Sequence, residues 1–134
     1  MARILMIWEL GAGYGHVGPL LSLATPLKAA GHEIQFAVRI LETGEALLRD
    51  TGIPVRQAPA NLKVNVRAPL FTYPQILKHT CFNEPEQMQE RFLAWRALYA
   101  EFKPDLIVCD HSPSALLAAR PMGTTRSFLP FPRT

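Results

Sequence analysis

An apolar run, Ile4-Leu5-Met6-Ile7-Trp8, is followed almost at once by Gly11-Ala12-Gly13-Tyr14-Gly15-His16-Val17-Gly18-Pro19, and this succession constrains the fold more than any other feature of the chain. A continuous apolar run without polar alternation suits a strand covered on both faces, as in a parallel sheet. Arg3 to Trp8 therefore reads as such a strand, and Val17 to Ala30 as a helix ended by Gly31. Strand, glycine-rich turn and helix open many nucleotide-binding folds, because glycine lets the backbone approach a ligand and the helix start offers free N–H groups. The dinucleotide fingerprint spaces its glycines as Gly-x-Gly-x-x-Gly, and counted from Gly11 the third falls on His16. A side chain that exchanges a proton near neutral pH thus stands where a cofactor would need bare backbone.

The remaining chain repeats the alternation. Glu33 to Arg39 reads as a second strand, Leu41 to Asp50 as a short helix with Gly52 beyond it, and Ile53 to Arg56 as a third strand. Residues 58–82 lose the pattern: Pro59, Pro69 and Pro74 interrupt apolar bulk from Leu70, Phe71, Tyr73, Ile76 and Leu77, which reads as an irregular binding loop. A helix follows, with Asn83 and Glu86 at capping-box spacing and a core stripe of Met88, Phe92, Trp95, Tyr99 and Phe102. Lys103-Pro104 ends it. Asp105 to Cys109 reads as a buried parallel strand finishing at Asp110, Ser112 or Ser114 as the cap of a helix through Arg120, and Thr124 to Leu129 as a weak strand. Such alternation predicts an α/β fold, a Rossmann-like parallel sheet with helices on both faces. The stop soon after the last strand leaves that strand without a covering helix, which suggests a truncated product.

At 134 residues the chain has the length of a single domain, 1–134. A net charge of +3 is carried by scattered Lys and Arg, so no basic stripe points to nucleic acid. No apolar run is long enough to span a bilayer, and no signal-peptide pattern opens the chain, so the expected location is cytoplasmic. Cys81 and Cys109 make no disulfide framework, and Cys109 reads as a small buried side chain. His79 and Cys81 lack a second ligand pair, and no metal is expected. Ser112 lacks the strained elbow of a nucleophilic hydrolase. His32 is expected to meet the last carbonyls of the first helix.

Two polar groups fall at the C-terminal ends of expected parallel strands, His16 after the first and Asp110 after the one that follows the long helix. Ligands bind at that edge of open α/β sheets. A carboxylate on one imidazole nitrogen fixes the tautomer and leaves the other nitrogen to take a hydroxyl proton. The plainer alternative is that His16 lines a turn and Asp110 caps the next helix, and the residues alone leave the two readings even.

Gly15-His16-x-x-Pro19 after an apolar strand and a glycine turn, Ala29-Ala30-Gly31-His32-Glu33-Ile34 leading into the second strand, and Phe102-Lys103-Pro104-Asp105-Leu106-Ile107-Val108-Cys109-Asp110 occur in that order and spacing. Together they resemble the N-terminal, acceptor-binding domain of GT-B glycosyltransferases, nearest the UDP-glycosyltransferase group that includes the macrolide enzymes. The resemblance implies the N-terminal half of a GT-B fold, with His16 as the base that deprotonates an acceptor hydroxyl and Asp110 as its partner. It further implies direct, metal-independent transfer of a hexosyl group from a nucleotide-sugar, UDP-linked in this group, with inversion and no cofactor. Gly11, Gly13 and Gly15 would keep backbone close to the reacting sugar, while Trp8, Phe71, Tyr73 and Phe82 would line an apolar pocket for a small-molecule acceptor. The second domain that holds the nucleotide has no counterpart in this sequence, so the chain alone is expected to be inactive. The last residues also depart from the family's continuation, and Pro26 falls inside the first helix at a cost of about 3 kcal/mol unless the helix kinks. Two other readings stand beside this one: a non-catalytic half-enzyme that docks a separate donor-binding protein, and a small Rossmann-like binder of nucleotide or phosphate.

Overall fold

The computed structural model describes residues 1–11, 15–59, 72–79, 82, 84–120 and 126–128. Its elements are β1 (Arg3–Trp8), α1 (Val17–Ala29), β2 (Glu33–Val38), α2 (Leu41–Leu48), β3 (Val55–Gln57), α3 (Tyr73–His79), α4 (Pro85–Phe102), β4 (Leu106–Asp110), α5 (Pro113–Ala119) and β5 (Arg126–Phe128). The strands form one parallel sheet in the order β3-β2-β1-β4-β5. β1 therefore lies at the centre, paired on both sides, as its unbroken apolar run requires.

Alternate residues of β1 serve opposite faces. Ile4, Met6 and Trp8 pack with Val17, Leu20 and Ala24 of α1 and Leu48 of α2, while Leu5 and Ile7 pack with Trp95, Tyr99 and Phe102 of α4 and Ala115 and Ala118 of α5. The expected helices on both faces are present, and the α4 stripe is core: Trp95 and Tyr99 are fully buried.

Three local expectations change. First, part of the segment read as irregular is helical, since α3 occupies Tyr73–His79. Thr72 Oγ1 accepts the Gln75 N–H and Gln75 Oε1 accepts the Thr72 N–H, a reciprocal box that places Pro74 in the first turn, where a missing N–H costs nothing. Second, the boundary residue of α4 is Glu84, which makes no side-chain cap, and Asn83, the expected cap, lies outside the described residues. Third, His32 does not hold the last carbonyls of α1 with its ring; its Nδ1 accepts the Ala2 N–H at 2.9 Å and fixes the chain's first residues. Backbone groups close α1 instead, with Gly31 at φ 94° donating to Lys28 and His32 N–H donating to Leu27, the Schellman arrangement. Pro26 is accommodated within α1, which continues through it to Ala29.

Candidate functional site

In the β1–β4 pairing Trp8 lies opposite Asp110, so the two share one face of the sheet at its C-terminal edge. His16, the residue before α1, reaches over that edge, and its Nδ1 stands 3.3 Å from Asp110 Oδ2. Asp110 is almost fully buried, whereas the His16 side chain keeps 23% of its exposure, so one member of the pair is shielded and the other reaches solvent. The distance is long for a hydrogen bond to an ionised group. Asp110 does not cap α5, which was the plainer alternative. Burial pushes its carboxyl above the ordinary range, while His16 and, after it, His111 pull it back down. Its Oδ1 is buried with no hydrogen-bond partner.

Gly11 explains how the imidazole fits. Its φ is 94°, and a Cβ there would lie 2.3 Å from His16 Nε2. The nitrogen facing away from Asp110 thus sits over bare backbone. Gly15 is different, because an added Cβ meets nothing within 4 Å. Gly13 and Phe71 lie outside the described residues.

Trp8, expected to line a pocket, is fully buried in this structure. It backs the site from within, its Nε1–H donating to Leu10 O at 2.7 Å and its ring stacked on His16 at 5.5 Å and 10°. Tyr73 is half exposed near the site, stacked with His111 at 5.6 Å. Phe82 lies under the Arg91 guanidinium at 5.1 Å, a cation–π contact on α4.

Two residues of the site escaped the sequence reading. His111, directly after Asp110, adopts φ 50° and brings its ring to 6.0 Å from that of His16. Burial, then the neighbouring charge of His16, lowers its pKa against the pull of Asp110. Glu9, fully buried just beyond β1, holds the start of α5: Oε1 accepts the Ser114 and Ala115 N–H groups, and Oε2 accepts the Ser114 hydroxyl. Burial raises its pKa against these bonds and the Arg91 charge, whose Nη1 is 4.0 Å away. The clue for Glu9 was an acid set between Trp8 and Leu10; for His111, its adjacency to Asp110.

Ser112 precedes α5 but does not cap it, its hydroxyl donating to Asp110 O at 2.9 Å, so β4 and the loop beyond are tied together. Cys109 is buried, as expected, and burial pushes its thiol well above the ordinary range. Among the described residues no group of three or more His, Cys, Asp or Glu could hold a metal ion; Cys81 lies outside them. No described helix is long and apolar enough to cross a membrane.

The fold is an α/β parallel sheet with the His–Asp pair at its C-terminal edge, and comparison with known proteins shows what it is similar to. No protein-family model matches the chain. An uncharacterized glycosyltransferase of Methanosarcina mazei is 31% identical over 115 residues, covering 86% of this chain and 29% of the relative. Among solved structures, MurG of Acinetobacter baumannii superposes with a TM-score of 0.66 at 20% identity, over 95% of this chain and 34% of that one. The Streptomyces sp. SF2575 glycosyltransferase SsfS6 gives 0.62 at 25% identity, over 95% and 39%, and it has also been solved with thymidine diphosphate. The chain is thus similar in sequence to glycosyltransferases and has the fold of the GT-B glycosyltransferases over roughly a third of their length.

Proposed function

We propose that this chain forms the acceptor-binding half of an inverting, metal-independent glycosyltransferase that moves a hexosyl group from a nucleotide-sugar to a hydroxyl of a small, apolar acceptor. The observation that carries this reading is the His16–Asp110 pair, formed between the start of α1 and the end of β4, with His16 Nε2 turned away from the carboxylate. Asp110 Oδ2 accepts Nδ1–H, which leaves the Nε2 lone pair free to take the acceptor's proton. The acceptor oxygen attacks the anomeric carbon from the face opposite the nucleoside diphosphate. One C–O bond forms there, the bond to the departing phosphate breaks, and the configuration inverts. The thymidine diphosphate seen with SsfS6 supports a nucleoside diphosphate as leaving group; UDP is the nucleotide expected for this group. Its binding falls to a second domain or subunit, and this chain by itself is expected to be inactive.

The test supplies that donor-binding half. His16→Ala should lower turnover by about 10²–10⁴-fold, the range for loss of a general base, with little change in acceptor affinity. Unchanged turnover would overturn the assignment, and product that retains the donor's anomeric configuration would overturn the single-displacement mechanism.

A further inference from the structure

His16 occupies the residue before α1, in helical conformation, with no side-chain cap to anchor it, and among the described residues its polar contact is the long approach to Asp110. What else fixes the ring is aromatic. The rings of Trp8, His16, His111 and Tyr73 follow one another at 5.5, 6.0 and 5.6 Å between centroids. Trp8 is immobilised by the core and by its bond to Leu10 O. His111 is held less cheaply: φ 50° is the left-handed region, costing roughly 1–2 kcal/mol in a residue other than glycine. Its carbonyl is fastened by Leu10 N–H at 3.0 Å, which ties this turn to the end of β1. Backbone strain kept by surrounding bonds is a feature of functional sites, and here it aims an imidazole at the proposed base.

We propose that His111 is a positioning residue for His16: its ring, seated by the left-handed turn after β4 and flanked by Tyr73, confines the His16 imidazole to the orientation in which Nδ1 meets Asp110 and Nε2 lies over Gly11. The proposal rests on the reading of His16 as the base, but it concerns an orientation that this chain shows without substrate. His111 touches no reacting atom in this scheme; it acts by restricting the ring that does.

The experiment is ¹⁵N and ¹H NMR of the His16 side chain in this 134-residue chain, for the wild type, His111→Asn and His111→Phe. Asn tolerates the left-handed backbone and removes the ring, so the fold should survive. In the wild type, His16 should show one tautomer, protonated at Nδ1, with its ring protons shifted by the Trp8 indole. His111→Asn should lose the single-tautomer pattern and much of that shift, and His111→Phe should recover both. His16 signals unchanged in a folded His111→Asn protein would overturn the proposal, as would failure of Phe to restore them. Tyr73→Ala, at an exposed position that leaves the core intact, supplies a second arm: a smaller change of the same sign supports the stack, and none overturns Tyr73's part in it. Because tautomer and shift are read without transfer, loss of the glycosyltransferase reading would show in turnover alone and stay distinct from failure here.

Discussion

Glu9 holds the amino end of α5 from a neighbouring strand, and its burial gives the protein a pH dependence of definite sign. A carboxyl whose folded pKa is raised binds more protons folded than unfolded, so stability falls as pH rises from about the ordinary value of 4.5 through the raised one. Glu9→Gln keeps an acceptor for the Ser114 and Ala115 N–H groups and removes the charge. Urea melts across that range should therefore show a flatter slope for Gln than for the wild type. Glu9→Ala leaves buried donors unpaired and should cost about 1–3 kcal/mol for each N–H orphaned. Gly11→Ala combines an unfavourable φ with a clash at His16 Nε2, so it should destabilise by about 1–2 kcal/mol and abolish the Nδ1–Asp110 contact in the His16 NMR spectrum. Sequence placed His16 and Asp110 beyond the ends of apolar strands, where an α/β sheet presents chemistry, and the structure brings the two within 3.3 Å of each other. Glu9 and His111 were missed for physical reasons. A buried acid is intelligible only once its donors are known, and these come from α5, far along the chain. A left-handed φ on a histidine leaves no mark in composition.

At the scale of elements, apolar pattern located the long strands and helices, and terminal chemistry was harder. The Thr72–Gln75 box was hidden because Pro74 reads as a breaker, although the first turn of a helix accepts proline. Thr72→Ala should cost about 0.5–2 kcal/mol of helix stability, seen as faster amide exchange in α3 while α4 is unaffected. At the start of α4 another proline, Pro85, stands in the first turn, with Glu84 before it as the boundary residue. In α2 the close approach is at Gly44, where a Cβ would meet Val38 Cγ2 at 2.7 Å and Val55 Cγ2 at 3.0 Å. Gly44→Ala should therefore destabilise by about 1–3 kcal/mol through overpacking, despite the better helix propensity of alanine. Thermal or urea melts decide it, and a stabilised Ala variant would show that α2 can move off the sheet.

Across the whole molecule, protection should follow the sheet's layering. β1 is paired on both sides and covered on both faces, so the amides of Leu5, Met6 and Ile7 should exchange slowest, near the global unfolding free energy. Slower exchange in α4 than in β1 would contradict a core organised around the central strand. The pairing that protects these amides also builds the site. Trp8 stands opposite Asp110, and a slip of β4 by one residue would set Cys109 there, aiming a thiol from the other face where the carboxylate belongs. The distance between imidazole and carboxylate is thereby a gauge of strand register, closed only when the first and fourth strands have found one another across everything between them. Both terminals of that gauge lie outside the stretch between β3 and α4, whose Tyr73 reaches it through His111, so a change of sequence there can be read as a change in the gauge without either terminal being replaced.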